Sequence, residues 1–268
     1  MWRGLYTAAT GMITETKRTD TIANNLANAN TTGFKRDDAV TSDFEPMLIR
    51  RINDQSGPKD VTEFKGFSLG RKAPVVGELG LGSQVAAIAT DHAQGSLQTT
   101  GNQLDFAVQG EGYFRIATPR GERYTRDGNF YRDSRSRLVT VNGNDVLDDR
   151  GRPITIPEET ANFLVSPEGT ISANGVQVAR LGLVSFPGGD AVMAKEGSSL
   201  YRVDDPAQRP RQATGSVQQG ALERSNTEVV SEMVNLIANY RAYEASSKAV
   251  TTQDSMLDKS VNEVGRNS

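Results

Sequence analysis

The chain has 268 residues and a formal net charge of −3, with a pI of about 5.4, so its bulk charge does not predict binding to nucleic acid or to anionic lipid. It contains no cysteine and a single histidine, His92, which excludes disulfide bonds, thiolate chemistry and any metal site built on two histidines. No stretch reaches the roughly 20 apolar residues that span a bilayer, and we expect no cleaved secretory signal because the first residues lack that pattern.

The first predicted element is a helix from Trp2 to about Asn30. Its apolar residues fall on one register of steps of three and four, with Thr16 and Thr19 in the gaps; they are Trp2, Leu5, Ala9, Met12, Ala23 and Leu26. This spacing predicts one narrow apolar stripe on a helix roughly 40–45 Å long. Such a stripe needs another helix or another chain to cover it. Packing as an ordinary amphipathic helix on the central domain is the alternative.

Residues 41–82 follow this helix. They contain Gly57-Pro58 and several further glycines, which predicts an extended arm with little regular structure. The apolar residues of the arm are too numerous for a free linker and include Phe44, Met47, Leu48, Ile49, Val61, Phe64, Phe67 and Leu69. We therefore expect the arm to contact other parts of the protein or other chains.

Residues 83–220 show the period of β-strands. Apolar and polar residues alternate in short runs around Leu104, Phe106, Val108, Phe114, Ile116, Ile154, Ile156, Val176, Val178, Leu181 and Leu183. Turn dipeptides punctuate these runs at Asp127-Gly128, Asn142-Gly143 and Asn174-Gly175, which is typical of antiparallel hairpins. The segment is long enough to build its own core. We predict a central, mainly antiparallel β domain.

A second long helix is predicted in the C-terminal region. Ten residues step by three and four without a break, eight of them apolar: Met233, Leu236, Tyr240, Tyr243, Ser247, Val250, Asp254, Leu257, Val261 and Val264. This pattern predicts a heptad seam on a helix roughly 55–60 Å long. Ser225, Asn226 and Thr227 are candidate N-caps. The predicted organisation is a helical segment (1–40), an arm (41–82), a β domain (83–220) and a helix (221–268), with the terminal helices paired.

Motifs that carry chemistry are weak throughout the chain. Gly77–Gly82 lacks the spacing of a dinucleotide site, and Asn142–Asp149 lacks that of a calcium loop, so a hairpin turn is the better interpretation of the latter. His92 lies beside a turn and is predicted to be a solvated loop residue. Glycosidases need only two acids across a cleft, for which the candidates are Glu111, Asp127, Asp145 and Asp148. We predict no catalytic residue, metal, cofactor or small-molecule substrate.

Five stretches resemble one protein family. The N-terminal "MWRGLYTAATGM" and "NNLANANTTGFKR" and the C-terminal "LERSNTEVVSEMVNLIANYRAYEASSKAVTTQDSML" resemble the end motifs of the bacterial flagellar axial proteins, the rod and hook family. In the middle, "TGNQLDFAVQGEGYFRI" and "YTRDGNF" are similar to β-domain motifs of rod proteins. The matches cover both ends and much of the middle, in the family's order.

The resemblance implies an α+β fold and a helical tube of many copies, with both terminal helices at the inner radius in a coiled-coil-like arrangement. It implies a torque-transmitting structural role in the basal-body rod, which crosses the periplasm or cell wall. Expected partners are further copies of the chain, the proximal rod and hook proteins, and the flagellar type III export apparatus, with export that needs no cleaved signal. The chain's length and arm resemble the distal rod member. The proximal paralogue is the alternative, and a peptidoglycan-cleaving glycosidase or a monomeric adhesin are alternatives of other classes.

The candidate assembly residues follow from the two stripes and from the asparagine-rich helix end. Asn30 or Gly33 would end the helix in a left-handed conformation, with Phe34 as an apolar anchor. The remaining asparagines are surplus to a cap, and their carboxamides could satisfy backbone groups of neighbouring subunits. The predicted interface residues are Leu5, Met12, Asn24, Asn25, Leu26, Asn28, Gly33, Phe34, Met233, Leu236, Tyr240, Tyr243, Val250 and Leu257. The predicted arm contacts are Phe44, Leu48, Phe64 and Phe67.

Overall fold

The computed structural model shows an α+β protein, which confirms the predicted fold class. Every structural statement below refers to the described residues, which are 2–44, 47–50, 63–64, 67–68, 75–157, 163–203, 205 and 207–262. The chain divides into two compact units. The first comprises Met1–Thr21, Asp38–Ala89 and Val234–Ser268, and the second Ile22–Asp37 and Thr90–Met233.

Two long helices provide the α part. Helix α1 spans Trp2–Ala27 and helix α2 spans Val229–Asn262. Neither contains proline, which would interrupt the backbone hydrogen bonds of a helix. Both were predicted from their apolar spacing, and α2 begins directly after the polar Ser225–Glu228 stretch. The helices therefore confirm the predicted terminal elements.

The arm contains regular structure, contrary to the prediction. Four strands lie within residues 41–82: β2 (Met47–Arg50), β3 (Glu63–Phe64), β4 (Phe67–Ser68) and β5 (Val75–Leu79). Strand β1 (Asp37–Asp43) runs into the start of the arm, and β6 (Ser83–Thr90) follows its end. The pairs are β1 with β6, β2 with β5 and β3 with β4. The β2–β5 and β3–β4 pairs are antiparallel. The glycine content suggested a coil, but paired strands satisfy the backbone hydrogen-bonding groups that an extended arm would leave open.

The second unit is built around a nine-stranded antiparallel sheet. Its strand order is β11-β12-β13-β9-β10-β19-β18, with β17 on β9 and β20 on β17. These strands are β9 (Tyr113–Thr118), β10 (Gly121–Thr125), β11 (Phe130–Arg132), β12 (Leu138–Thr140), β13 (Asp145–Val146), β17 (Leu183–Ser185), β18 (Met193–Gly197), β19 (Leu200–Val203) and β20 (Arg211–Gln212). A short 3₁₀ helix, Gly189–Val192, precedes β18.

Smaller sheets complete this unit. Strands β14, β15 and β16 form one sheet, while β8 pairs with β21 and β7 with β22. Their bounds are β7 (Leu97–Thr99), β8 (Phe106–Gln109), β14 (Phe163–Val165), β15 (Thr170–Ala173), β16 (Val176–Arg180), β21 (Ser216–Gln219) and β22 (Ala221–Glu223). The predicted alternation is confirmed at Phe114, Ile116, Ile154 and Ile156, which are buried in the core.

The alternation fails on β16. Val176 and Val178 are exposed, because β16 is an outer strand of its sheet and the register of its pairing with β15 shifts next to Ile171. Of the three predicted turn dipeptides, Asn174-Gly175 forms a two-residue hairpin with positive φ at both residues. Asp127-Gly128 forms no hairpin. Gly128 instead lies against β8, where a Cβ would stand 1.7 Å from the Phe106 carbonyl oxygen.

One five-residue loop occurs four times in the β part. In each copy the first amide donates to the fifth carbonyl at 2.8–2.9 Å. The fourth residue has positive φ, and an oxygen of the first side chain accepts from the fifth amide. The copies are Asp133–Arg137, Thr140–Asn144, Asp148–Arg152 and Ser166–Thr170. The predicted Asn142-Gly143 turn is the second copy, a three-residue hairpin loop with a left-handed last residue.

Two copies of this loop allow a matched test. Asp133 and Asp148 each accept two backbone amides and the guanidinium of the fifth residue. Their side chains are 21% and 6% exposed, respectively. Asp148→Ala should therefore lower the free energy of unfolding by about 2–4 kcal/mol, because buried amides lose their acceptor. Asp133→Ala should lower it less, because water replaces the lost acceptor. Urea denaturation measures both, and equal losses would show that burial does not control the effect.

Candidate assembly site

The end of α1 is closed mainly by its own asparagines. The Asn28 amide and side-chain Nδ2 both donate to the Asn24 carbonyl, and Thr31 Oγ1 donates to Asn28 Oδ1 at 3.2 Å. Asn24 is exposed. Together with Asn28, Asn30, Asn129 and Asn142 it lines a groove of about 660 Å³ in the second unit. Asn24 and Asn28 are therefore placed where a second chain could reach their carboxamides.

Asn25 has a different position from its neighbours. Its side chain is 1% exposed. Nδ2 donates to the Asp37 carbonyl at 2.8 Å, and Oδ1 accepts from the Asp37 amide at 2.9 Å. The carboxamide thus pairs with one residue of the chain as a neighbouring strand would, and it ties the last turns of α1 to the start of β1.

Gly33 and Phe34 also lie inside the chain. Gly33 has a φ of 63°, and a Cβ there would stand 2.3 Å from the Asp127 amide nitrogen. Its own amide donates to the Glu223 carbonyl at 2.9 Å. Phe34 is buried, with Lys195 Nζ 4.0 Å from the centre of its ring. Asn25, Gly33 and Phe34 therefore stabilise the subunit itself, and the structure gives no support to their predicted place in a subunit interface.

A buried ion pair, which was not predicted from the sequence, joins the segment after α1 to the segment before α2. Lys35 Nζ lies 2.6 Å from Glu223 Oε1, and the two side chains are 1% and 0% exposed. Lys35 also donates to the Ala93 carbonyl at 2.7 Å, and the Gly95 amide donates to Glu223 Oε1 at 2.9 Å. Burial lowers the pKa of Lys35, and the Glu223 carboxylate opposes that shift. We call Lys35, Glu223 and the 91–95 strap between them the clamp.

Asn226 extends the clamp instead of capping α2. Its Oδ1 accepts from the Arg36 amide at 2.8 Å, and its Nδ2 donates to the Asp91 carbonyl at 2.8 Å. The Asp91 amide in turn donates to the Arg36 carbonyl at 2.9 Å. The segments after α1 and before α2 are therefore held to the same strap. In the sequence, Lys35 and Glu223 lie in stretches of mixed polar and apolar residues, and nothing in their spacing indicates that they meet.

The two helices contact each other through small and polar residues. In the first unit, a Cβ at Gly4 would stand 3.3 Å from Gln253 Nε2, and one at Gly11 would stand 3.4 Å from Ser246 Oγ. Asn239 Nδ2 donates to the Glu15 carbonyl at 2.7 Å and to Thr19 Oγ1 at 2.6 Å. Residue numbers rise on α2 as they fall on α1, so the contact is antiparallel.

The predicted apolar seam does not form a single buried face. Met233, Tyr240 and Tyr243 are exposed, whereas Leu236, Val250 and Leu257 are half-buried. On α1, the predicted Leu5, Met12 and Leu26 are half-buried.

Several exposed apolar residues were missed. Val230, Val234 and Ile237 on α2 and Tyr6 and Ile13 on α1 are exposed. The spacing of Val230, Val234 and Ile237 is the i, i+4, i+7 signal that would have found them. With Met233 and Tyr240 they give the first three turns of α2 an open apolar surface, which we call the α2 face.

The arm residues are only partly covered by the structure. Phe44 is half-buried, and its ring centre lies 5.9 Å from that of Tyr6 in edge-to-face geometry. The side chains of the other predicted arm contacts, Leu48, Phe64 and Phe67, lie outside the described residues. Their contacts stay predictions.

The acids suggested for a glycosidase have structural roles. Asp145 Oδ2 accepts from Arg137 at 2.6 Å, Asp148 pairs with Arg152, and Asp127 accepts from Thr32 Oγ1 at 2.7 Å. Burial raises the pKa of Asp127, and the Thr32 hydrogen bond opposes that shift. Glu111 is exposed. Three of the four acids are thus engaged by side chains of the same subunit, and none of these contacts shows two carboxyl groups facing a cleft.

The described residues offer neither a metal site nor a membrane-spanning helix. No group of three or more acidic or histidine side chains there has the arrangement of a metal site. Within the same residues, neither helix has a run apolar enough to cross a bilayer.

Comparison with known proteins gives one consistent result. Family models match residues 5–35 ("Flagella basal body rod protein"), 107–173 ("Flagellar hook protein FlgE/F/G D1 domain") and 218–263 ("Flagellar basal body rod FlgEFG protein C-terminal"). The flagellar basal-body rod protein FlgG of Bacillus subtilis is 36% identical, covering 98% of this chain and 99% of the relative. FlgG of Borreliella burgdorferi is 34% identical over 96% and 97%. FlgF of Caulobacter vibrioides is 33% identical over 99% of each chain.

The clamp yields a test of stability. Lys35→Met should lower the free energy of unfolding by about 3–5 kcal/mol, because the buried Glu223 carboxylate loses its closest cation. The double variant Lys35→Met/Glu223→Gln should lose less than the sum of the two single variants, because the two side chains interact directly. Chemical denaturation measures all three. The control is Arg18→Met, which removes a cation 48% exposed and 3.6 Å from Glu15, with an expected change within about 0.5 kcal/mol. If Lys35→Met lowered the free energy of unfolding as little as Arg18→Met does, the stabilising role of the buried pair would be contradicted.

Proposed function

Because the chain belongs to the flagellar basal-body rod protein family, we propose that this structural rod subunit occupies the distal part of the rod. The observation that carries the assembly mechanism is the exposed α2 face. The length of the chain and its β-paired arm support the distal position. The proximal rod paralogue is the alternative within the family. In either position the subunit would self-assemble into a helical tube that transmits torque.

The chemistry of the helix contact supports this mechanism. Within the chain, α1 and α2 approach each other closely at Gly4 and Gly11, next to Gln253 and Ser246, while the residues of the α2 face stay exposed. Burying one large apolar side chain is worth about 1.5–3 kcal/mol. Several such side chains remain open on the α2 face, and neighbouring copies would cover them. We propose that the helices of several subunits then pack in a coiled-coil-like arrangement, with the asparagine-lined groove contributing polar contacts at Asn24 and Asn28.

The partners follow from the family. Rod proteins assemble with other flagellar axial proteins at the basal body, and we propose further copies of this chain, the proximal rod and the hook as the specific neighbours. We also propose export through the flagellar type III apparatus without a cleaved signal. A catalytic role is not part of the proposal, because Asp127, Asp145 and Asp148 are each engaged by a side chain of the same subunit.

The α2 face gives a matched mutational test. Tyr240→Asp should abolish assembly and motility without lowering the thermal stability of the β part, because Tyr240 is 53% exposed in the subunit and a neighbour would bury the new charge unpaired. Tyr131→Asp is the control, since Tyr131 is 48% exposed but lies on β11 in the β part. Sedimentation and electron microscopy of purified subunits report assembly. Normal rods from Tyr240→Asp would contradict the proposed interface.

The arm gives a test of the distal position. A rod has to stay straight under torque, and an arm that contacts an axial neighbour resists the sliding that bending requires. Arg50 and Val75 are register partners in the β2–β5 pair, so Asn-Gly in place of residues 51–74 should close a short hairpin. This variant should still polymerise but form flexible tubes. Electron microscopy measures curvature, and tubes as straight as the wild type would reduce the arm to a spacer.

A further inference from the structure

The only histidine of the chain lies in the middle of the clamp. The residues on either side of it bind the segment that follows α1. The Asp91 amide donates to the Arg36 carbonyl at 2.9 Å, and the Ala93 carbonyl accepts from Lys35 Nζ at 2.7 Å. The position of the strap therefore depends on what holds the His92 side chain.

The His92 side chain is anchored in the β part. Its Nδ1 lies 2.9 Å from Tyr113 Oη, and Tyr113 Oη donates to Asp190 Oδ1 at 2.8 Å. The ring centre of His92 lies 5.4 Å from that of Tyr201. A carboxylate only accepts hydrogen bonds, so the single Tyr113 proton is directed to Asp190. The arrangement therefore assigns the His92 proton to Nδ1, and Nε2 is the atom that an added proton would occupy.

Cations surround this ring from several elements. Arg126, after β10, stands 4.8 Å over the Tyr113 ring, and Lys195 of β18 pairs with Asp37 at 2.8 Å. Lys35 and Glu223 come from the clamp itself, and Asp190 of the 3₁₀ helix is the carboxylate bonded to Tyr113. Burial lowers the pKa of His92 below its ordinary 6.5; Asp190 opposes that shift, and Lys35, Lys195 and Arg126 add to it.

We propose that His92 is an acid-sensitive latch, in which protonation at Nε2 loosens the 91–95 strap and releases the Lys35–Arg36 segment from the β part. A proton there adds a positive charge to a ring that contacts two tyrosines and lies among three cations. The strap is the direct partner of Lys35 and Arg36, so its displacement removes three hydrogen bonds, the third being from Arg36 Nε to Asp91 Oδ2 at 3.3 Å. The latch is closed at neutral pH and opens in mildly acidic medium.

The sign of the effect follows from proton linkage. With a lowered pKa in the folded state, the unfolded chain binds more protons as soon as the pH falls below about 6.5. The contribution of His92 to the free energy of unfolding is therefore constant above that pH. It decreases as the pH falls toward the folded-state pKa. At the acid limit, each unit of lowering decreases the ratio of folded to unfolded protein about tenfold.

The single histidine makes the test direct. Its ring resonance in the full-length subunit, followed by NMR from pH 8 to pH 5, should titrate below 6.5, and the amide signals of residues 34–37 should shift with it. The melting temperature of the wild type should fall between pH 7.5 and pH 5.5. His92→Gln, which keeps a donor for Tyr113 but cannot be protonated, should lose clearly less over the same range.

The controls separate the latch from general acid effects. Glu168→Gln changes an exposed carboxyl group and should leave the wild-type pH dependence unchanged. Tyr113→Phe removes the hydroxyl partner of His92 but keeps the ring, and it should shift the titration of His92 even if His92→Gln proves unstable. A His92 pKa at or above 6.5, or equal acid sensitivity in the wild type and His92→Gln, would overturn the proposal.

Discussion

The buried Lys35–Glu223 pair is the constraint on which the second unit depends. Two opposite charges out of water are tolerated because each is also hydrogen-bonded, Lys35 to the Ala93 carbonyl and Glu223 to the Gly95 amide. The pair joins positions 188 residues apart in the chain. It thereby sets where the segment after α1 and the segment before α2 meet. Gly33 completes the arrangement, because only a residue without a Cβ fits against the backbone of Asp127.

Because of this constraint, the buried residues stabilise the subunit and the exposed residues remain free to contact other copies. The two apolar clusters of the second unit consist of aromatic and aliphatic side chains of the β part, and none of the described residues of α1 or α2 belongs to them. Glycine, serine, threonine, asparagine and glutamine residues line part of the helix contact within the first unit. The α2 face is consequently available, which is what a subunit of a helical polymer requires. A large exposed apolar surface on a monomer otherwise favours non-specific aggregation.

The sequence allowed the α+β class, both helices and the antiparallel β part to be predicted, because their periodicities of 3.6 and 2 are local. It did not allow the hydrogen-bond and packing partners of individual side chains to be predicted. Asn25 and Asn28 look alike in the sequence, yet one pairs with the Asp37 backbone and the other closes the helix. His92 was expected in solvent because it lies beside a turn, whereas its ring packs on Tyr113 and Tyr201. The arm was misjudged from its glycines, since pairing between strands is not visible in composition.

Hydrogen exchange of the free subunit and of assembled rods, followed by mass spectrometry, tests the central claim most directly. The account predicts that amides of residues 31–37 are already protected in the free subunit and change little on assembly. Amides of the first turns of α2 should gain strong protection only in the polymer, because neighbours then cover the α2 face. If residues 31–37 instead gained protection only on assembly, or if α2 exchanged equally in both states, the clamp and the division between buried and exposed residues would be contradicted.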